Sequence, residues 1–534
     1  MNEIVTGTEL CIDQRYERAL EELARTISGK NRNLAGSVTW EEQFERLHEY
    51  IDVLPGIRDR LESEMRVIHV AGTKGKGSTC AFAEAILIEC VVQNVGLFTS
   101  PHLVDVRERF RVNGKPITKE VFCDSIDWLM ENIERNKLEV PAYFRFLFLL
   151  ALKIFSDANV ECLILEVGLG GRLDATNVVR KPIVCGITSL GLDHVEVLGH
   201  TIDLIATEKA GIMKDFVKAY TSPQPALAMD SLKKKANSLQ NCELISAKQL
   251  DLKLKNGEPV QLGLSGPHQR INASLAVALV KEWAEKTNHK GMLDVLQMKN
   301  NENDDLLQQH DELPLAFRRG LAKTTWPGRE QIVQDEFSKN LTFYLDGAHT
   351  EESMKSSAEW FSAHVNAKRK KEIKNNNNSG GGNAQREGDD KIHNVFLFNC
   401  MEERSPLMLL SASFDVLKSK NVIIDCAMFC PPDSSVLGLV KVEDDKKNLE
   451  WQETCAKTWR EINNNNNNNN NSANSSSSSL NEVQTDVRAS VAGAISALRR
   501  KADLVAPKRV DVLVAGSLYL VGDILRQLKK LGVK

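Results

Sequence analysis

At 534 residues the chain is too long for one ordinary core, and a prior of roughly 150 residues per domain allows two to four domains. Hydrophobic residues at 42% and charged residues at 26% are the proportions of a soluble globular protein. With 68 Lys and Arg against 72 Asp and Glu the net charge is −4, so there is no electrostatic reason to expect nucleic acid or an anionic membrane as the main partner.

The N-terminal stretch "MNEIVTGTELCIDQRYERALEELART" carries Glu3, Glu9 and Asp13 early. That is unlike an acidic-poor transit peptide or a secretory signal, so the expectation is a cytoplasmic protein, with a mitochondrial isoform left open. From residue 66 short β-branched runs alternate with helical patterns. "RVIHVAGTKGKGSTCAFAEAILIEC" reads as strand, Gly loop and a helix from Ser78, and "VGLFTSPH" as a strand ending in a polar turn. The apolar run "FRFLFLLALKIF", broken by Arg145 and Lys153, is too short for a membrane span and reads as a core helix. "VECLILEVGLGG" and "PIVCGITSLGLDH" are further strands, each with a polar, Gly-containing end. Strands alternating with helices imply a mainly parallel sheet covered on both faces, with ligands beyond the carboxyl ends of the strands. "GPHQRINASLAVALVKEWAE" reads as a loop feeding a helix, "KNNENDDLLQQHDE" as a surface loop, and "TTWPGREQIV", with Pro327 and Gly328, as the domain boundary.

A second alternating pattern follows in "LTFYLDGAH", "NVFLFNC", "NVIIDCAMF" and "VDVLVAGSLYLVGDILRQLKK". The fold class expected is therefore α/β. A P-loop-type, doubly wound, mainly parallel domain spans 1–323, and a smaller Rossmann-like α/β domain spans 324–534. Two low-complexity segments, 368–391 and 463–479, cannot bury enough apolar surface to order themselves and read as disordered surface insertions. Eleven cysteines are scattered singly, and the closest pair, Cys426 and Cys430, has no second pair at zinc spacing. Buried, reduced thiols are expected.

The chemistry starts at "HVAGTKGKGSTCAF". In an ordinary P-loop the hydroxyl residue directly follows the lysine; here Gly77 follows Lys76, and Ser78 and Thr79 come afterwards. Gly72, Gly75 and Gly77 still let the backbone curl with its N–H groups inward, the helix adds its positive end, and Lys76 can reach the β- and γ-phosphates. The bland alternative is a Gly-rich strand-to-helix turn without a ligand. Glu166 ends an apolar strand, where a carboxylate is costly to bury without a cation or hydrogen bonds; the structural alternative is a salt bridge to Arg172. Arg329 can neutralise phosphate charge and Asp346 can hold part of a nucleotide, against a linker salt bridge and a strand-end turn.

Together with "TSPHLVDVRERFRVNGKPI", "LEVGLGGRLDATN", "DHVEVLGHTIDLIATEKAGI", "GPHQRINA", "WPGRE" and "YLDGAHT", this loop resembles the folylpolyglutamate synthases of the Mur-ligase superfamily. The resemblance is dense over about 65–215, continues through about 350 and thins in the insertion-rich remainder. It implies catalytic roles for Lys76, Lys209 and His194, with Lys209 carbamylated by CO2. It also implies nucleotide contacts from Gly72, Thr73, Gly75, Lys76, Gly77, Ser78, Thr79, Asn272, Arg329, Asp346 and His349, with His268 and Gln269 beside Asn272. Ser100, Glu166 and His194 become Mg2+ ligands, although nitrogen is an unusual partner for Mg2+, and Arg172 and Asp174 shape the adjacent loop.

The cofactors implied are ATP, one or two Mg2+ ions and a monovalent cation such as K+. The substrates are L-glutamate and tetrahydrofolate with its polyglutamates, handled by a monomer that binds neither nucleic acid nor membrane. The activity implied is an ADP-forming ligation through an acyl phosphate, with 323–330 as the hinge of a water-excluding closure. "AYFRFLFLLAL" looks more like the folylpolyglutamate-specific form than like a dihydrofolate synthase, and a dual activity stays open. A catalytically dead nucleotide-binding regulator and a small-molecule kinase are the alternatives from other classes.

Overall fold

The computed structural model describes residues 11–27, 39–254, 257–297, 313–378, 392–435, 440–441, 448–470, 484–506 and 508–530. Of the expectations above, the loop at 299–312 and the acidic residues Glu3 and Glu9 lie outside the described residues. The chain divides into two compact units, Met1–Trp326 and Pro327–Lys534.

The first unit is built on eight strands: β1 (Arg66–Ala71), β2 (Val95–Phe98), β3 (Phe110–Val112), β4 (Lys115–Pro116), β5 (Cys162–Glu166), β6 (Val184–Ile187), β7 (Ala219–Thr221) and β8 (Leu244–Ser246). Their order is β4-β3-β2-β5-β1-β6-β7-β8. From β2 to β8 the neighbours are parallel, and β3 and β4 extend the edge antiparallel. Residues along β1 alternate between two cores, as the two-residue period of a strand requires. Ile68 and Val70 pack with Phe82, Leu279, Trp283 and Phe317 from three helices on one face. Ala71 instead packs with Ala206, Ala210 and Leu232 on the other. The chain leaves β1 toward β2 but leaves β5 toward β6, on the opposite side of β1. That reversal opens a crevice at the carboxyl ends of β1 and β5, where ligands bind in open α/β sheets.

The "YFRFLFLLALKIFSD" stretch is the Tyr143–Asp157 helix, and its two interrupting charges sit at the surface side. Arg145 donates to Gln43 at 2.6 Å, and Lys153 pairs with Asp157 at 2.7 Å.

The second unit carries β9 (Gln331–Gln334), β10 (Leu341–Leu345), β11 (His393–Phe398), β12 (Cys426–Phe429), an antiparallel pair of two-residue strands β13 (Ser434–Ser435) and β14 (Val440–Lys441), β15 (Gln484–Val487) and β16 (Val510–Ala515). The main sheet runs β15-β12-β11-β16-β10-β9, parallel except for β9.

Two sequence expectations need correction here. The Glu351–Asn378 helix runs eleven residues into the 368–391 segment, because "KRKKEIK" is made of good helix formers that prolong an established helix. The Glu450–Asn470 helix likewise extends into the Asn tract. The remainders, 379–391 and 471–479, lie outside the described residues. None of the eleven cysteines is in a disulfide; Cys11 is exposed, Cys242 half-buried and the others buried.

Candidate active site

The loop after β1 is shaped by two glycines that nothing larger could replace. At Gly72 (φ +150°) a Cβ would fall 1.8 Å from Thr188 Oγ1, and at Gly75 (φ +84°) one would fall 2.1 Å from Asn272 Oδ1. Gly75 caps the Lys76–Glu89 helix in the left-handed region, so the helix begins at Lys76, two residues earlier than the sequence suggested. Thr79 is the first residue whose N–H bonds back into the helix, to Gly75 O at 2.9 Å. The N–H groups of Lys76, Gly77 and Ser78 therefore stand at the helix end without intrahelical partners. The rest of the loop is tied to the segment after β6. Thr73 and Lys74 donate their N–H groups to Ser189 O at 3.1 Å each, and Thr73 Oγ1 bonds both the O and the N–H of Gly191 at 3.2 Å.

Two lysines meet on one carbonyl at the centre of this loop. Lys76 Nζ donates to Gly72 O at 3.2 Å, and Lys209 Nζ, from the Ile202–Ala210 helix, donates to the same oxygen at 2.9 Å. Lys209 is only 4% exposed. Burial first and neighbouring Lys76 second bring its pKa down to about 7, against the opposing pull of Asp193 and Asp174. Near neutrality a large share of Lys209 is thus a free amine.

At the ends of the neighbouring strands, β2 and β5 bring Ser100 and Glu166 together: the Ser100 N–H donates to Glu166 Oε2 at 2.9 Å. Arg172 does not make the salt bridge to Glu166 weighed above; it pairs with Glu208 at 3.1 Å and Glu41 at 3.2 Å. The 168–177 loop is organised by Asp174. Its carboxylate accepts from the N–H groups of Gly168 (3.1 Å), Leu169 (3.0 Å) and Thr176 (3.0 Å) and from Thr176 Oγ1 (2.6 Å). Burial raises the pKa of this carboxyl, and the four hydrogen bonds oppose part of that rise. His69, fully buried beneath, bonds Thr176 Oγ1 at 2.8 Å, and its pKa is pushed down to about 3 by burial, then by Lys214.

His194 stands on the segment after β6 with a positive φ of 51°. Its N–H donates to Asp193 Oδ1 at 3.0 Å and its imidazole is 53% exposed. Buried Asn272 is fixed by Gln269, Nδ2 to Oε1 at 3.0 Å. Among the described residues there is no group of three or more His, Cys, Asp or Glu able to hold a metal alone. A Mg2+ ion bound by one carboxylate, one hydroxyl and phosphate oxygens needs no such group, so the Ser100–Glu166 pair fits that ion.

In the second unit, Arg329, Asp346 and His349 gather at the end of β10. Asp346 Oδ2 accepts from the Glu330 N–H at 2.9 Å and Oδ1 from the Ala348 N–H at 2.9 Å. Burial raises the Asp346 pKa while Arg329 lowers it. A Cβ on Gly347 would lie 2.4 Å from Arg329 Nη1, so glycine is what lets the guanidinium lie against this backbone. His349 Nδ1 donates to Gly347 O at 2.7 Å.

Sequence reasoning missed four residues around these sites. Thr188 packs on Gly72, and Gln224 clamps it with bonds to Thr188 O (2.9 Å) and from the Leu190 N–H (3.0 Å). Trp326 packs on Gly77. Glu330, beside Asp346, is held at φ 43° with its carboxyl pushed up to about 8, by burial first and Asp346 second. Thr188, Trp326 and Glu330 stood in the strand-end and boundary motifs already singled out, whereas Gln224 carried no signal.

No protein-family model matches the chain. It is 41% identical over 533 residues to the folylpolyglutamate synthase of Arabidopsis thaliana, covering 96% of this chain and 88% of that protein. A putative folylpolyglutamate synthase of Caenorhabditis elegans is 33% identical, with 95% and 92% covered. Among solved structures, the Mycobacterium tuberculosis folylpolyglutamate synthase complexed with ADP superposes with a TM-score of 0.67 at 20% identity, over 97% of this chain and 99% of that one. The apo form of the L. casei enzyme gives a TM-score of 0.63 at 19% identity, over 97% and 100%. The structural likeness shows the fold, and the sequence identity across nearly the whole length of both partners makes the chain a member of the folylpolyglutamate synthase family.

Proposed function

We propose that this protein ligates L-glutamate to the γ-carboxylate of tetrahydrofolate and its polyglutamates, consuming ATP and forming ADP and phosphate. The single observation that carries the reading is the convergence of Lys76, Lys209 and a helix N-terminus around Gly72. Such a concentration of positive charge at a strand-to-helix loop calls for a polyanion, and a nucleoside triphosphate supplies one.

In this reading residues 1–323 hold the nucleotide and 324–534 form the glutamate-ligase-like part. The N–H groups of Lys76, Gly77 and Ser78 and the Lys76 ammonium bind the phosphates, with Thr73 and Thr79 in the same loop. Asn272, Arg329, Asp346 and His349 complete the nucleotide contacts. Ser100, Glu166 and His194 would hold Mg2+, which when bound neutralises phosphate charge as the γ-phosphoryl group moves. The folate γ-carboxylate oxygen attacks the γ-phosphorus and ADP leaves; the glutamate amine then attacks the acyl carbon, a proton departs from nitrogen and phosphate leaves. The protein contributes by positioning, by neutralising charge and by excluding water from the acyl phosphate.

Lys209 suits a carbamate, since CO2 reacts with the neutral amine that its lowered pKa supplies. A monovalent cation such as K+ and a monomeric state complete the reading. None of the described helices is long and apolar enough to cross a membrane. The compartment proposed is the cytoplasm, with a mitochondrial isoform beside it, as relatives from Homo sapiens and Cricetulus griseus are named mitochondrial.

The test is incubation of the purified protein with tetrahydrofolate, L-glutamate, ATP and Mg2+, with products resolved by chain length. ATP consumption that requires both folate and glutamate supports the ligase. ATP turnover without glutamate incorporation overturns it.

A further inference from the structure

Gly77 is the residue that sets this loop apart from an ordinary P-loop, and nothing in its own backbone calls for glycine. It lies in the first turn of the Lys76–Glu89 helix and is not among the glycines with positive φ. At a helical position alanine is favoured over glycine by about 1 kcal/mol. What faces Gly77 is an indole: a Cβ there would lie 3.0 Å from Trp326 Cζ2 and 3.2 Å from Cε2 and Nε1.

Trp326 is itself held by a further contact. The Arg111 guanidinium lies over its ring, 5.6 Å from the centroid, and Arg111 is fixed by buried Glu84 at 2.8 Å. Glu84 belongs to the same helix as Gly77, so the assembly closes on itself. The chain leading to Trp326 is held to that helix as well. Gly320 approaches so closely that a Cβ would sit 2.6 Å from Ile86 Cα, and Lys323 pairs with Glu89. Trp326 is the last residue of the first unit.

We propose that Trp326 is a positioning residue for the phosphate loop, its indole buttressing Gly77 so that the Lys76, Gly77 and Ser78 N–H groups are held in place for the phosphates of a nucleoside triphosphate. The inference rests on the nucleotide reading above and explains why glycine, rather than the usual hydroxyl residue, follows the lysine. A side chain at 77 displaces the indole, and loss of the indole frees the first turn.

The experiment is a double-mutant cycle read by calorimetric binding of a non-hydrolysable ATP analogue with Mg2+ to the full chain: wild type, Gly77→Ala, Trp326→Ala and the double variant. Gly77→Ala is expected to weaken binding about fivefold in the wild-type background, equal to about 1 kcal/mol, and less than about twofold where Trp326 is alanine. A coupling of that size exceeds the few tenths of a kcal/mol within which independent sites add. Trp326→Ala alone should weaken binding about tenfold, with Trp326→Phe restoring most of it and tetrahydrofolate affinity unchanged in both. The same penalty for Gly77→Ala in both backgrounds overturns the inference while leaving the nucleotide reading intact. No analogue binding by the wild-type protein overturns both.

Discussion

Replacing Lys209 by methionine gives the sharpest test of the loop's electrostatics. The ammonium is buried with its pKa lowered from 10.5 to about 7, by desolvation first and by Lys76 second. At about 1.36 kcal/mol per pH unit this is a destabilisation of about 5 kcal/mol when the group is fully charged. Between about pH 7 and 10.5 the unfolded chain holds this proton and the folded protein does not, so stability rises with pH across that window. Below pH 7 both states hold it and the whole cost remains.

Lys209→Met removes the cost and loses one hydrogen bond to Gly72 O, worth about 1 kcal/mol, while Lys76 still bonds that oxygen. The variant should therefore be more stable than wild type by about 3–4 kcal/mol at pH 6–7, and by only about 1 kcal/mol at pH 9. The assay is urea unfolding in CO2-free buffer at pH 6 to 9, followed by amide exchange in the Ile202–Ala210 helix so that the first unit is read by itself. The same variant should lose ligation, along with the carbamate carbon signal that wild type gives with 13C-bicarbonate. A difference in stability that stays constant from pH 6 to 9 would refute the lowered pKa and with it the case for a free amine at neutrality.

Three further outcomes are expected. Lys76→Ala should abolish ligation with the fold intact by circular dichroism, and full activity in that variant would remove the phosphate-loop assignment. Asp174→Asn forces an amide donor against one of three N–H groups or the Thr176 hydroxyl, at a cost of about 2–3 kcal/mol. Faster exchange of the Gly168 and Leu169 amides should report it, and unchanged protection would show that the loop is held by other means. Glu330, raised from 4.5 to about 8, keeps a proton in the folded state that the unfolded chain has lost between those values, so its contribution to stability falls as pH rises from 4.5 through 8. Glu330→Gln should gain on wild type progressively from pH 5 to 8; parallel pH profiles for the two proteins would disprove the burial of a protonated carboxyl.

Much of this architecture was legible because its signals are local. The strand at 66–71, its glycine loop and the helix beyond are adjacent in sequence, and a two-residue period giving way to a helical one marks them. Glu166 and Asp346 stood out because a charged group at the end of an apolar strand is expensive unless it serves something, and Lys76 because it sits in a glycine-rich loop between a strand and a helix. The partners that make those positions work come from far along the chain. Thr188 fixes the need for glycine at 72, Asn272 the same at 75, and Trp326 at 77, across separations that no spacing rule reaches. Arg172 illustrates the converse. Proximity in sequence suggested a bridge to Glu166, yet the intervening loop is turned by Asp174 and presents Arg172 to Glu41 and Glu208 instead. The low-complexity segments misled at their starts, since composition alone does not register that a packed helix propagates cheaply into whatever follows it.

The charges around Gly72 also bear on why the hydroxyl residue is displaced from its usual place. A P-loop with serine or threonine after the lysine brings the metal to the helix's first turn. Here that turn is closed against an indole, and a second lysine occupies the inner side of the loop. A divalent cation placed there would meet the Lys76 ammonium and whatever share of Lys209 is protonated. The neighbouring strand ends offer the opposite sign: Glu166 is a buried carboxylate, and its hydrogen bond to the Ser100 N–H brings the Ser100 residue alongside it. In the proposed reading a Mg2+ ion held by Ser100 and Glu166 would lie at the neighbouring strand ends, away from the loop lysines, and would neutralise phosphate charge from there. Carbamylation of Lys209 would reverse the sign on the inner side, converting repulsion of the metal into attraction. On this account Gly77, Trp326, Ser100 and the lowered pKa of Lys209 are parts of one electrostatic arrangement, which explains why the loop departs from the ordinary pattern at one residue yet keeps its glycines and its lysine.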